Sequence, residues 1–452
     1  MLITRRYSPS YLVAVPVSLC VFLNPLLDSL GMFETPVGGI RIEQWARGFL
    51  LVLMLANIAL HSGRSARLSV QRIMLPLIWL PLYAFMLFAV RDTPLDLNIG
   101  YVLRYLFLVA IFYNVILSAR AGAITERWLQ YAVWCALCLA IAGQVADMWL
   151  GRSAVQAYGG YESAIWGLTK SPAITAAGLL SLLPAFLYLS KRPGRGYLGL
   201  TLCSIALITT FRRSGILAAG AGLGIYLVLW SARANAKRLR PVLLALGSVA
   251  VLAGALSTTP MARSLMARFE DLDISRGGTG SGRTQLWALV LDHIERREFG
   301  QQFFGEGPLA AVELTREKLL HRSVGVGTHD DWLNILMAAG LVGVSLQIWF
   351  FFNLFTLAKQ LLRDSPQMGI ACFSTLGMMI FLSVTTGGVF DPTMAPLYAF
   401  IGYAAFELQR CRSPRRSGVA IHLRRQLGTT NGRPLEIYNK GLSRENESFR
   451  NG

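Results

Sequence analysis

The chain has 452 residues, 54% of them hydrophobic and only 15% charged, with a formal net charge of +18. Soluble domains carry roughly 25% charged residues, so this composition excludes an ordinary soluble enzyme and reads as a polytopic membrane protein. A charge that would point to nucleic acid in a soluble protein is explained here by cytoplasmic loops, and no nucleic-acid partner is expected.

In chain order there are about twelve apolar runs, each able to span once its edges are widened to roughly 20 residues. They lie near 11–32, 46–61, 73–90, 99–118, 128–150, 171–190, 197–211, 214–230, 241–257, 332–357, 368–386 and 394–408. The first is not read as a cleaved signal peptide, because it contains Pro16 and Pro25, lacks a small-residue cleavage site and is followed by more spans. All six cysteines fall in or beside apolar runs. Cys135 and Cys138 form a CxxC, but inside WCALCLA it reads as packing rather than as a redox or metal site.

Loop charges set the orientation. Arg5 and Arg6, then Arg64, Arg67 and Arg72, then Lys191, Arg192 and Arg195, then Arg233, Lys237, Arg238 and Arg240 all fall on one side when the spans alternate. That side is the cytoplasm, and both termini are expected there. The polar segment from Ser257 to Asp331 is then extracytoplasmic.

This organisation predicts an all-α fold with about 12 transmembrane helices. Helices 1–9 occupy residues 1–257, a loop domain 258–331, helices 10–12 residues 332–408, and a basic tail, expected to be disordered, 409–452. The loop domain reads as a small helical cap. A glycine-rich loop starts at Phe269, a helix at Arg283 with Leu286, Leu289, Val290 and Ile294 on one face, and a second helix spans Pro308–His321. So short a segment cannot build a large core of its own, so the cap should lie on the membrane domain.

Thr328-His329-Asp330-Asp331 opens the apolar run that follows the cap. Thr328 or Asp330 can cap that helix. His329 then sits where a long helix meets water, at a position able to titrate near neutral pH. An ordinary cap with a solvated histidine is the plain alternative. Four arginines break the loop-charge pattern: Arg212 and Arg213 in a tight extracytoplasmic turn, Arg104 within the fourth span, and Arg283 in the cap. An arginine in a span is costly unless it faces a polar cavity or a counter-anion, and the apolar span cores offer Arg104 no acidic partner. The planar guanidinium suits phosphate oxygens. The alternatives are snorkelling for Arg104 and lipid headgroups for Arg212 and Arg213.

These motifs resemble the O-antigen ligase and O-antigen polymerase superfamily of bacterial inner-membrane glycan transferases. The resemblance rests on FRRSGILAAGAGLGIYLVL, on GRTQLWALVLDHI, and on HDDWLNILMAAGLVG with its opening histidine and Gly-Leu-x-Gly turn. It extends in pattern from about Ser171 to Gly402; Asp330 stands where the family often has a small polar residue. The resemblance implies a GT-C-type enzyme at the periplasmic face, with a glycan on undecaprenyl pyrophosphate as donor and a glycan or lipid A-core as acceptor. Transfer would invert the anomeric carbon.

The residues fit that chemistry. Preorganised arginines stabilise a departing pyrophosphate, a neutral His329 can act as general base, and Asp330 or Asp331 can orient it or serve as a cap. No HExxH stands out in the extracytoplasmic segments, and the acidic pairs Asp271/Asp273 and Asp330/Asp331 are not read as a metal site, so neither a metal nor another cofactor is expected. The reading favours an O-antigen or exopolysaccharide polymerase, with the lipopolysaccharide-building ligase as alternative. A lipid-linked-sugar flippase is the rival from another class, which would show internal repeats and broken helices at mid-membrane.

Overall fold

The computed structural model describes residues 10–30, 42–61, 71–88, 95–150, 165, 167, 169, 171–190, 194–233, 247, 283–308, 310–318 and 328–428. Among them there is no strand, and the chain is an all-α, multi-pass membrane protein. The first apolar run is two helices, α1 (Ser10–Phe22) and α2 (Asn24–Ser29). The chain turns at Leu23 because Pro25 occupies the first turn of α2, where its missing N–H has no partner to lose. There follow α3 (Ile42–His61), α4 (Leu75–Phe88), α5 (Leu95–Arg120), α6 (Glu126–Trp149), α7 (Pro172–Leu189), α8 (Arg195–Ile208) and α9 (Arg213–Ser231). The cap supplies α10 (Arg283–Glu295), α11 (Phe299–Phe304) and α12 (Ala310–Lys318), and the chain continues through α13 (Asp331–Asp364), α14 (Pro366–Thr385) and α15 (Ala395–Gly428).

By length and composition α3, α5, α6, α7, α9, α13 and α14 can each cross a membrane, while α1, α4 and α8 carry shorter apolar stretches. The span expected at 241–257 lies, apart from Gly247, outside the described residues, as does the glycine-rich loop up to Gly282. Residues from Gln409 onward form a separate compact unit. The basic stretch expected to be disordered is helical as far as Gly428.

The small residues of α9 have a packing reason. α9 lies along α14, and a Cβ on Gly222 would collide with Met378. That closeness lets Ser374 Oγ donate to the Gly222 carbonyl at 2.6 Å. Without a hydrophobic drive between helices in lipid, such close backbone approach and interhelical hydrogen bonding are what hold spans together. α14 lies in turn along α13, and α13 along α4.

The cap packs on α13 rather than standing alone. Val290, Ala310, Ala311, Leu314 and Met337 form a small core, with Leu289, Ile294 and Leu333 against it. The helix expected over Pro308–His321 is α12, within that range, and α11 is an additional short helix.

α13 is broken at Gly340 (φ 60°, ψ −157°), a left-handed conformation that glycine adopts without steric cost. The break frees carbonyls of the preceding turn, and the loop after α11 takes them up. Glu306 N–H donates to Met337 O at 2.9 Å and Gly307 N–H to Ala338 O at 3.0 Å. A Cβ on Gly340 would strike the Phe303 carbonyl, so this close approach also requires glycine. Beyond the break, residues 341–364 measure on the order of 36 Å at 1.5 Å per residue, enough to cross a hydrocarbon core of about 30 Å. Residues 331–339 are therefore a separate half-helix that carries the His329 knot on the cap side.

Candidate functional site

The half-helix begins at a well-formed cap. Asp330 Oδ1 accepts from the N–H groups of Trp332 at 2.7 Å and Leu333 at 3.0 Å, two of the helix's otherwise orphaned donors. Thr328 takes a different part: its hydroxyl donates to the Asp330 carbonyl at 2.7 Å, and its N–H donates to Asn334 Oδ1 at 3.1 Å. Between these two anchored residues His329 adopts φ 53° and is exposed. Histidine tolerates this region better than most residues. The result is an imidazole held at the surface on a fixed backbone. Burial pushes the Asp330 carboxyl above the usual carboxylate range, against the pull of its two helix N–H bonds.

A second segment, the turn after α14, closes over the knot. Asp331 is buried, and its oxygens accept from Gly388 N–H at 2.9 Å and Val389 N–H at 3.1 Å. Gly387 (φ 63°) lies against the backbone of His329 and Asp330, where a Cβ would come within 3.4 Å of the Asp330 nitrogen. Trp332 Nε1 donates to Ser383 Oγ at 2.9 Å and fastens α13 to the end of α14. On the other side stand Tyr101 and Tyr105 of α5, hydroxyls 3.2 Å apart, with Tyr105 stacked on Phe390.

The four arginines differ in setting. Arg283 is half-buried at the start of α10 and its Nη1 donates to the Thr385 carbonyl. Burial lowers its pKa, and the positive charge of Arg213 acts in the same direction. Arg213 is thus within electrostatic reach of Arg283, and two such cations suit an anionic ligand. Arg283 also reaches the histidine through α10: Trp287 Nε1 donates to the Thr328 carbonyl at 2.9 Å. Arg212 and Arg213 start α9 after Phe211 (φ 51°), with Arg212 at the cap and its N–H 3.4 Å from Thr210 Oγ1. Arg104 is exposed on α5 and lies within electrostatic reach of Asp331. Asp331 stands at a helix start, not in the apolar core of a span, on a helix distant in the chain.

The structure thus brings His329, Asp330 and Asp331 together with Arg283 through Trp287, Thr385 and Gly387, with Arg213 within electrostatic reach of Arg283 and Arg104 within reach of Asp331. The turn Thr385-Thr386-Gly387-Gly388 and the Tyr101/Tyr105 pair were not singled out from sequence. Their signals are modest: a Gly-Gly pair between two spans, and two tyrosines at helical spacing. Among the described residues no group of three or more His, Cys, Asp and Glu side chains is placed to hold a metal.

Asp331 gives a direct stability test. Asp331→Ala leaves two backbone N–H groups without their acceptor, at about 1–3 kcal/mol each. The thermal midpoint of the detergent-solubilised variant is expected to fall clearly, and less in Asp331→Asn, which keeps one acceptor oxygen. An unchanged midpoint in Asp331→Ala would contradict the buried role of this carboxylate.

Residues 198–348 match the family model described as O-Antigen ligase, a stretch that contains Arg212, Arg213, Arg283 and His329. The match supports the O-antigen ligase/polymerase superfamily, and with it glycosyl transfer between a lipid-linked glycan donor and an acceptor in the membrane. No curated protein matches the chain.

Proposed function

We propose that the chain transfers a glycan from undecaprenyl pyrophosphate to an acceptor hydroxyl at the periplasmic face, with inversion and without a metal. The observation that carries this reading is Arg283, within electrostatic reach of Arg213 and on a helix that Trp287 ties to the backbone presenting His329. Arg213 and Arg283 hold the pyrophosphate, with Arg212 and Arg104 in supporting positions. His329 takes the proton from the acceptor hydroxyl as its oxygen attacks the anomeric carbon from the face opposite the pyrophosphate. The glycosyl C–O bond breaks, and the lipid pyrophosphate leaves with the electron pair, its growing charge met by the arginines. Asp330 fixes the histidine's backbone through its cap.

The acceptor distinguishes two forms of the reaction. A polymerase passes the chain to another lipid-linked unit; a ligase passes it to lipid A-core. The matched family supports either form, and the polymerase remains the reading favoured here, with the ligase as alternative. With purified protein and a defined undecaprenyl-pyrophosphate glycan, we expect one acceptor class to yield a product of inverted anomeric configuration, and EDTA to leave the rate unchanged. Loss of activity restored by Mg²⁺ or Mn²⁺ would overturn the metal-free mechanism.

Orientation has its own support. Arg233 donates to Leu362 O, and Asn353 donates to Arg72 O, so two of the basic connections meet α13 in its part remote from His329. A reporter active only outside the cytoplasm should be active after Gly300 and silent after Arg195. The reverse result would place the site in the cytoplasm and remove its access to the donor.

A further inference from the structure

α11 has the sequence FGQQFF and carries three phenylalanines in six residues. One side of it is bound to the cap, where Gln302 Nε2 donates to the carbonyls of Ile294 at 3.2 Å and Arg297 at 3.1 Å. Phe299 is 78% exposed, Phe303 38% and Phe304 49%, and the first two stack at 6.1 Å. A contiguous aromatic patch of this kind on a small cap marks an interaction surface.

Its position identifies the partner. Tyr83 Oη of α4 donates to the Phe304 carbonyl at 3.2 Å, and the next residues plug the break in α13 at Gly340. α11 is therefore fixed at the end of two membrane helices. Immediately past the break, Leu341, Ile348, Phe352 and Phe355 of α13 are exposed at helical spacing, and Trp79, Leu82 and Met86 are exposed on α4. The phenyl patch is thus anchored beside two helices that carry exposed apolar side chains.

We infer that α11 is an interfacial foot that inserts Phe299, Phe303 and Phe304 among the acyl chains of the leaflet on the cap side. Large apolar side chains at the edge of an apolar span gain by moving from water into lipid, and aromatic rings are favoured at that boundary. The foot has a consequence for the site. The segment that carries it also closes the break in α13, so the bilayer surface helps set the height of the half-helix that presents His329. The inference stands on exposure and packing and is independent of the proposed transfer reaction.

The test is photo-crosslinking. Benzoylphenylalanine is placed singly at positions 299, 303 and, as a control on exposed α12, 317 in the full chain, reconstituted in phosphatidylethanolamine–phosphatidylglycerol vesicles. Acyl-chain adducts are expected at 299 and 303, and at least tenfold less adduct at 317. Adducts joining two copies of the chain at 299 and 303 would overturn the inference and make the patch a contact between copies. Failure to label lipid at 299 and 303, or equal lipid labelling at 317, would also overturn it. Circular dichroism and elution volume, unchanged by the insertion, identify the preparations on which the result is read.

Discussion

Arg283→Ala and Arg213→Ala are each expected to abolish detectable glycan transfer while the protein remains folded and present at normal levels. Removing a single preorganised donor to developing negative charge typically costs about 10²–10³ in rate. Here each arginine is also expected to grip the donor in its ground state, so binding falls together with turnover. Arg283 makes its structural bond to the Thr385 carbonyl with one Nη, and the planar fork leaves further N–H groups for phosphate oxygens. Lysine has no such fork, so Arg→Lys at either position should restore little. Arg104→Ala and Arg212→Ala should have smaller effects: Arg104 is exposed near Asp331, and Arg212 occupies the cap position of α9. Full activity in Arg213→Ala would show that this arginine holds a lipid headgroup instead of the donor.

His329→Ala is expected to lower turnover by about 10²–10⁴-fold, the usual contribution of a positioned general base. The fold should survive it. His329 is exposed, and its neighbours carry the helix start: Asp330 caps α13 and Thr328 bonds to the Asp330 carbonyl. His329→Gln keeps hydrogen-bonding capacity but lacks a comparable base. Residual activity in the glutamine variant above that of the alanine variant would measure how much of the histidine's effect is acceptor positioning.

Much of this arrangement is legible in the sequence, and what is not has an identifiable cause. The cap at Asp330 follows from a polar knot directly before an apolar helical run, and the structure only decides between Thr328 and Asp330 as the capping residue. The face of α10 is likewise visible in its periodicity, with Leu286 and Val290 buried as the pattern requires. α11 is six residues long, too short for a periodic signal, and it follows Glu298 directly. The break at Gly340 falls at the Gly-Leu-x-Gly turn marked by the resemblance, but the partner of its freed carbonyls, the loop at Glu306 and Gly307, is non-local and not visible in the sequence. The nearness of Arg104 to Asp331 is likewise non-local. A search for charge within spans cannot find a carboxylate held at a helix start by the Gly388 and Val389 N–H groups of a third segment.

The central claim is that the arginines bind the donor and His329 activates the acceptor. Its most direct test measures donor binding and transfer side by side in purified wild type, Arg283→Ala and His329→Ala, with one undecaprenyl-pyrophosphate glycan. The account predicts that wild type binds and transfers, Arg283→Ala loses both, and His329→Ala binds like wild type while its turnover falls by about 10²–10⁴-fold. Loss of donor binding in His329→Ala as severe as its loss of turnover would contradict the account and assign the histidine to the donor site or to the fold.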